Sequence, residues 1–187
     1  MQPRQLIEFL SVMEKLKCNT RHSWTSNGKQ ESVAEHSWRV AIMALLVAGE
    51  FPEVEIEKVV KMCLIHDFGE AITGDIPSFY KTKEDTEKET TAVKDLLKLL
   101  PVDISNEFKE LFFEMSELKT AEAKLFKALD KLEAIAAHNE APIETWIPLE
   151  YTENLTYGTE NVEYSEYLKA IKKEMEKDSL KKIEEAK

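Results

Sequence analysis

The sequence predicts an all-α fold: a single compact helical bundle of about six or seven helices. Three observations carry this reading. Apolar residues recur at three- and four-residue steps along most of the chain. Glycine and proline are scarce, at 5 and 6 of 187 residues, too few for the many turns of a sandwich or barrel. No segment shows the period-two alternation of a half-buried strand. The length fits one domain over 1–187, with a motif-bearing core at about 5–140 and an irregular segment and helix at 141–187.

Pro3 opens a first amphipathic helix carrying Leu6, Phe9, Leu10, Met13 and Leu16. Residues 18–31 break the pattern and read as a long loop, a common place for function. Ser32 with Glu35 fits a capping box, so a second helix runs from there to about Glu50. Its Trp38, Ala41, Ile42, Leu45 and Leu46 make it apolar nearly all round, which predicts a central position. Pro52 opens a third helix, which ends near Ile72 before the turn Gly74-Asp75-Ile76-Pro77. A charged helix over 82–100 turns Val93, Leu96, Leu97 and Leu100 inward. Phe108, Leu111, Phe112 and Met115 mark a short helix. Thr120 caps the next, along which Leu125, Phe126, Leu129, Leu132 and Ile135 recur. Residues 141–160 read as irregular, and 161–185 as a final helix with Tyr164, Leu168, Ile171 and Met175 on one side.

Lys+Arg is 25 against Asp+Glu 36, a net charge of −11. Such a chain lacks the basic face that nucleic-acid polymers or anionic membranes require. Two isolated cysteines, Cys18 and Cys63, form neither a disulfide framework nor a cysteine-rich zinc site. No signal peptide or membrane-spanning run is evident, so a cytoplasmic location is expected.

Four polar residues stand in the most apolar helices: His36, His66, Asp67 and Asp130. A buried, unpaired carboxylate costs several kcal/mol, so each aspartate should meet a cation. Two imidazoles and two carboxylates suit a divalent Mn, Fe, Co, Ni or Zn ion. Taken singly, each has a plainer reading: a satisfied core histidine, or an Asp130 salt bridge to Lys127 or Lys131. Cys63 reads as buried packing, His22 as a surface imidazole and His138 as decoration of a helix end.

The order His, His-Asp, Asp resembles the signature of the HD-domain superfamily of metal-dependent phosphohydrolases. The stretches ESVAEHSWRVA (31–41), CLIHDFGEAITGDIP (63–77) and KALDKLEAI (127–135) resemble its branch of 5'-deoxynucleotidases and HD domain-containing protein 2. The resemblance implies that His36, His66, Asp67 and Asp130 hold the metal. It implies catalytic acidic residues at Glu70 and Asp75, the latter near the nucleotide sugar. It also implies phosphate and sugar contacts from Arg21 and Trp24. Glu70 lies four residues after His66, one helical turn on, so the two are expected to share a face, from which Glu70 could orient a water for attack on phosphorus. Arg21 offers a bidentate clamp, and Ile76 is a candidate pocket wall. In some deoxynucleotidases the tryptophan directly follows the arginine. Here the order is Arg21-His22-Ser23-Trp24, which leaves deoxy-versus-ribo selection open.

The implied function is hydrolysis of (deoxy)nucleoside 5'-monophosphates by a metal-dependent 5'-nucleotidase. It would use one divalent transition metal, with a weaker second cation near Glu70 and Asp75. Alternatives are another phosphoester hydrolase, acting on nucleoside triphosphates or cyclic nucleotides, or a non-catalytic, metal-stabilised interaction protein. A monophosphate is favoured because Arg21 is the one clear cation, with Lys29 and Lys81 in reserve. The apolar faces of the last helices suggest a homodimer.

Overall fold

The computed structural model describes residues 1–186; Lys187, the last residue of the expected domain, lies outside the described residues. Among the described residues the regular structure is helical apart from one small hairpin. Helix α1 (Pro3–Met13) runs into a short α2 (Lys15–Cys18). Phe9 and Leu16 are buried, while Leu6 and Leu10 remain exposed.

The region read as a loop contains β1 (Thr20–Trp24) and β2 (Gln30–Ser32), paired antiparallel. This corrects the expectation of no strands. The turn between them uses Gly28 at φ 83°, a left-handed conformation that glycine adopts freely. The Asn27-Gly28 pair is a recognisable hairpin signal.

Ser32 ends β2 and also caps α3 (Val33–Val47), through the reciprocal Ser32–Glu35 box that the spacing predicts. The hairpin is thereby fixed to the start of α3, and β1 lies against α8. Helix α3 buries Val33, His36, Val40, Ala44 and Val47 on one face. Its other face is open: Trp38 is 61% exposed and Leu46 77%. The enclosed helix is instead α8 (Ala121–Glu140), buried along most of its circumference and packed on α3 and α4.

Helix α4 (Ile56–Ile65) starts later than Pro52 and stops before His66; α5 (Glu70–Thr73) follows a tight turn. Helix α6 (Lys83–Leu97) carries a Thr82–Asp85 capping box and buries Val93, Leu96 and Leu97. Helix α7 (Val102–Glu117) is longer than the short segment expected. The stretch read as irregular holds a 3-10 turn (Ile143–Thr145), α9 (Glu150–Thr156) and the start of α10 (Thr159–Val162). Helix α11 (Glu166–Glu185) packs Leu168 into the core. Seven of these helices run ten residues or more among the described residues, in line with the expected number of principal helices.

The main core joins α3, α4 and α8 through Val40, Ala44, Met62, Cys63, Leu125 and Leu129. These three helices bring together residues far apart in sequence, and the candidate site lies where they converge.

Candidate metal and phosphate site

His36 projects from the buried face of α3 and is fully enclosed. Its Nε2 lies 3.2 Å from Asp130 Oδ1 and 4.0 Å from Asp67 Oδ2. His66 follows the last residue of α4; its Nε2 lies 3.0 Å from Asp67 Oδ2 and 3.7 Å from Asp130 Oδ1. Ligand atoms of His36, His66 and Asp67 lie within 4.8 Å of one another. The four predicted donors are therefore brought together, with Asp67 Oδ2 and Asp130 Oδ1 each within 4.0 Å of both imidazole Nε2 atoms. Helix α4 ends before the His66-Asp67 pair, so tight-turn geometry lets both side chains converge.

The donor set suits a divalent cation, and His66 provides the test of fit. Its Nδ1–H donates to the Cys63 carbonyl at 2.8 Å, which leaves the lone pair on Nε2. That buried Nε2 has no hydrogen-bond partner and faces two carboxylates. His36 is oriented in the same manner: its Nδ1–H donates to the fully buried Glu133 carboxylate, and Nε2 is turned inward. An imidazole whose outer nitrogen is held by a carboxylate or carbonyl is the usual state of a metal-binding histidine.

The electrostatics point the same way. Burial raises the Asp67 pKa, but the adjoining His66 ring and the charges of His36 and Arg21 hold it well below the ordinary value. Burial opposes ionisation of Asp130 too, yet Lys127, His36 and Lys131 hold it low. Lys127 Nζ sits 2.9 Å from Asp130 Oδ2, so the two oxygens serve different partners. Burial and Arg21 would lower His36, but Glu133 and Asp130 hold it up to about 9. The proton held there occupies a position that favours positive charge.

Glu70 is buried, its Oε2 has no partner, and it lines the same cavity. Burial, reinforced by Asp67, Asp75 and Glu89, pushes it up to about 10. A nearby cation would favour its ionised form. Ligand atoms of Asp67, Glu70 and Glu89 lie within 4.8 Å of one another, so Glu89 on α6 joins the acidic cluster expected around Glu70 and Asp75. Burial raises Asp75, against the pull of Arg21.

Arg21, Asp75 and Ile76 all line the cavity, which has a volume of about 440 Å³. Burial would lower the Arg21 pKa, but Glu133, Asp67, Asp75 and Glu31 more than offset that and keep it charged. Its Nε lies 3.9 Å from Glu31, itself buried on β2. Trp24 does not line the cavity; it packs edge-on against His22. His22 lines it too, which corrects its reading as a surface imidazole; His138 lies in the last turn of α8, as expected, and also lines the cavity. Cys63 is buried, as expected, and burial pushes its thiol up to about 12.

Sequence reasoning missed Glu31, Arg39, Glu89 and Glu133, and undercounted the cations. Lys81, Lys127 and Lys131 all line the cavity. Lys81 is paired with Glu89, and Lys131 bonds the Tyr157 hydroxyl at 2.6 Å. Lys29 instead pairs with Glu35 on the exposed surface.

Comparison with known proteins fits this geometry. The HD domain family model matches residues 13–172. The chain is 37% identical over 141 residues to 5'-deoxynucleotidase HDDC2 of Bos taurus, covering 73% of this chain and 68% of that protein. It is 35% identical over 139 residues to 5'-deoxynucleotidase hdd1 of Schizosaccharomyces pombe, covering 70% and 69%. Among solved structures, one from Magnetospirillum magnetotacticum, described as a predicted metal-dependent phosphohydrolase, superposes with a TM-score of 0.81 at 30% identity, covering 96% and 93%. A conserved hypothetical protein from Pyrococcus furiosus gives 0.70 at 35% identity, covering 91% and 99%.

Proposed function

The chain belongs to the HD-domain family, and from that premise we propose that it is a metal-dependent 5'-nucleotidase acting on (deoxy)nucleoside 5'-monophosphates. One observation carries the reading: a single cavity joins the four convergent donors to Glu70 and Arg21. His36, His66, Asp67 and Asp130 hold one divalent cation of the Mn, Co, Fe, Ni or Zn class. When bound, that ion supplies Lewis acidity toward the phosphate and makes water a usable nucleophile near neutral pH.

The protein's own groups do the rest. Arg21 binds the phosphate, and its surrounding carboxylates fix its position and charge. Glu70, in its ionised form, takes the proton of the attacking water as the water oxygen bonds to phosphorus. The bond from phosphorus to the sugar O5' breaks with its electron pair going to O5', which takes up the proton that Glu70 accepted, giving orthophosphate and a nucleoside. Asp75 and Ile76 flank the sugar. A weaker second cation near Glu70 and Asp75 is supported by the close approach of the Asp67, Glu70 and Glu89 oxygens.

A purely structural metal site would gain nothing from a buried, unpartnered Glu70, because such a group is destabilising. Lys81, Lys127 and Lys131 raise the case for further phosphates. Each already has a polar partner in Glu89, Asp130 or Tyr157, which favours a monophosphate.

We also read residues 1–187 as one domain, cytoplasmic and homodimeric. No helix among the described residues is long and apolar enough to cross a membrane. The open face of α3, with Trp38, Leu45 and Leu46 exposed, supports pairing with a second copy better than the last helices do. The functional test loads chelator-stripped protein with each divalent metal and offers mono-, tri- and cyclic nucleotides. Phosphate release from monophosphates is expected, with loss of metal and activity together in Asp130→Ala. Full activity and metal content in that variant, or release of pyrophosphate from triphosphates alone, refutes the assignment.

A further inference from the structure

Part of the cavity wall carries a second polar cluster that the hydrolytic residues do not use. It is built from β1, the end of α8, and α9. Glu150 and Asn154 are 2% and 3% exposed. Glu150 Oε2 accepts the Ile147 N–H at 2.9 Å, whereas its buried Oε1 has no hydrogen-bond partner. That oxygen lies 3.3 Å from His22 Nε2 and 3.4 Å from His138 Nε2, without bonding geometry. Asn154 Oδ1 lies 2.8 Å from His138 Nδ1, and His138 Nε2 lies 3.2 Å from the His22 carbonyl, which holds the imidazole in place, while the buried Asn154 Nδ2 has no partner. His22 Nε2 is likewise buried and unpartnered.

Glu150, Asn154, His22 and His138 all line the cavity that holds the metal donors. A buried polar atom left unbonded is costly, and the cost is recovered when a ligand supplies the missing partner. The free valences here are specific. Glu150 Oε1 only accepts, and Asn154 Nδ2 only donates. A flat ligand edge with a donor beside an acceptor satisfies both. Phe79, which lines the same wall and meets the His22 ring edge-on at 6.3 Å, adds an aromatic surface for such a ring.

We propose that Glu150 and Asn154, positioned by His138 and backed by His22 and Phe79, form a nucleobase-reading subsite that contributes to substrate choice. The identity of the ligand as a base rests on the nucleotidase reading above; the subsite itself rests on the two orphaned groups. Hydrogen bonds to a base edge are the usual means of distinguishing bases. A site built to make them discriminates against ligands that cannot.

The test compares wild type with Glu150→Gln, which puts a group that also donates where only an acceptor stood. Four deoxynucleoside monophosphates and deoxyribose 5-phosphate, which has no base, serve as substrates. Binding of the corresponding free nucleosides is measured by calorimetry. The ratio of kcat/KM for the preferred nucleotide to that for the baseless sugar phosphate is expected to fall tenfold or more. The nucleoside Kd should weaken by a similar factor. A ratio and Kd within twofold of wild type overturn the subsite. If wild type hydrolyses none of the phosphates yet binds nucleosides in a Glu150-dependent manner, the nucleotidase reading falls and the subsite stands. Should Glu150→Gln melt early, Asn154→Asp carries the same test, since it keeps the acceptor used by His138 and removes the free donor.

Discussion

Glu133 sits fully buried on α8, three residues beyond Asp130, and accepts from both His36 Nδ1–H and Arg39 Nε, the latter at 2.7 Å. Burial raises its pKa, yet His36, Arg21 and Arg39 hold it below the ordinary value. Like Asp130, Glu133 is a buried acid in an apolar helix that needs a cation, and the pair shares a face at i, i+3. What the sequence cannot display is the partner, since His36 lies 97 residues away. A carboxylate behind a liganding imidazole typically accounts for 10- to 100-fold in metal affinity. Glu133→Gln is therefore expected to weaken metal binding by about that factor, measured by equilibrium dialysis of chelator-stripped protein. Unchanged affinity with only a lower melting temperature would reduce Glu133 to a packing role. Arg21 makes a parallel case on the substrate side. A charge-assisted bond is worth about 1.5–3 kcal/mol, so Arg21→Ala should lower kcat/KM for a monophosphate by about 10- to 100-fold. Lysine cannot reproduce the guanidinium fork, so Arg21→Lys should restore only part of the loss. Full activity in steady-state assays of either variant would remove Arg21 from the phosphate site.

The turn between α4 and α5 is the element on which the site depends. Bonds from Phe68 N to Ile65 O at 3.0 Å and Glu70 N to Asp67 O at 2.9 Å tighten the chain just where the donors appear. Gly69 lets this turn pack against α6: an added Cβ would lie 2.6 Å from Glu89 Cγ and 3.0 Å from the Glu89 backbone oxygen. Gly69→Ala should cost about 1–3 kcal/mol by overpacking and shift both Asp67 and Glu70. A lower melting temperature together with weaker metal binding is the expected result; wild-type values for both would show that α6 yields freely. Legibility at this scale followed locality. The Ser32 and Thr120 caps are readable because each involves residues three apart. The break after Ile65 was hidden, because the apolar pattern continues across it. Helix α9 was hidden for another reason: it is short and leans on α11, whose buried Lys172 donates to the Leu155 carbonyl at 2.8 Å. Short helices gain their stability from such packing rather than from their own sequence.

The net charge of −11 shapes the molecule less than the distribution of its buried charges. Three helices converge to hold more carboxylates than the local cations neutralise, and the cluster compensates by retaining protons. His36 titrates near 9 against an ordinary 6.5, because Glu133 and Asp130 outweigh burial and Arg21. Its contribution to stability is complete below pH 6.5 and is lost as pH rises through 9. Glu70 titrates near 10 against 4.5, through burial and the charges of Asp67, Asp75 and Glu89. The folded chain retains that proton while the unfolded chain releases it, so this group also lowers stability as pH rises across the window. Asp67 and Asp130 are shifted downward, and their stabilising contributions are already complete and flat above pH 6. The metal-free protein should therefore melt lower at pH 9 than at pH 6. Each kcal/mol corresponds to about 2–4 °C at this chain length. A bound dication replaces the protons and binds better as they leave, so metal-loaded protein should show a flatter or reversed slope. Thermal melts at both pH values, with chelator and with saturating metal, make the comparison. Equal melting temperatures at pH 6 and 9 under chelator would show that the excess carboxylates are not balanced by protons. A slope unchanged by metal would place the cation elsewhere than among His36, His66, Asp67 and Asp130.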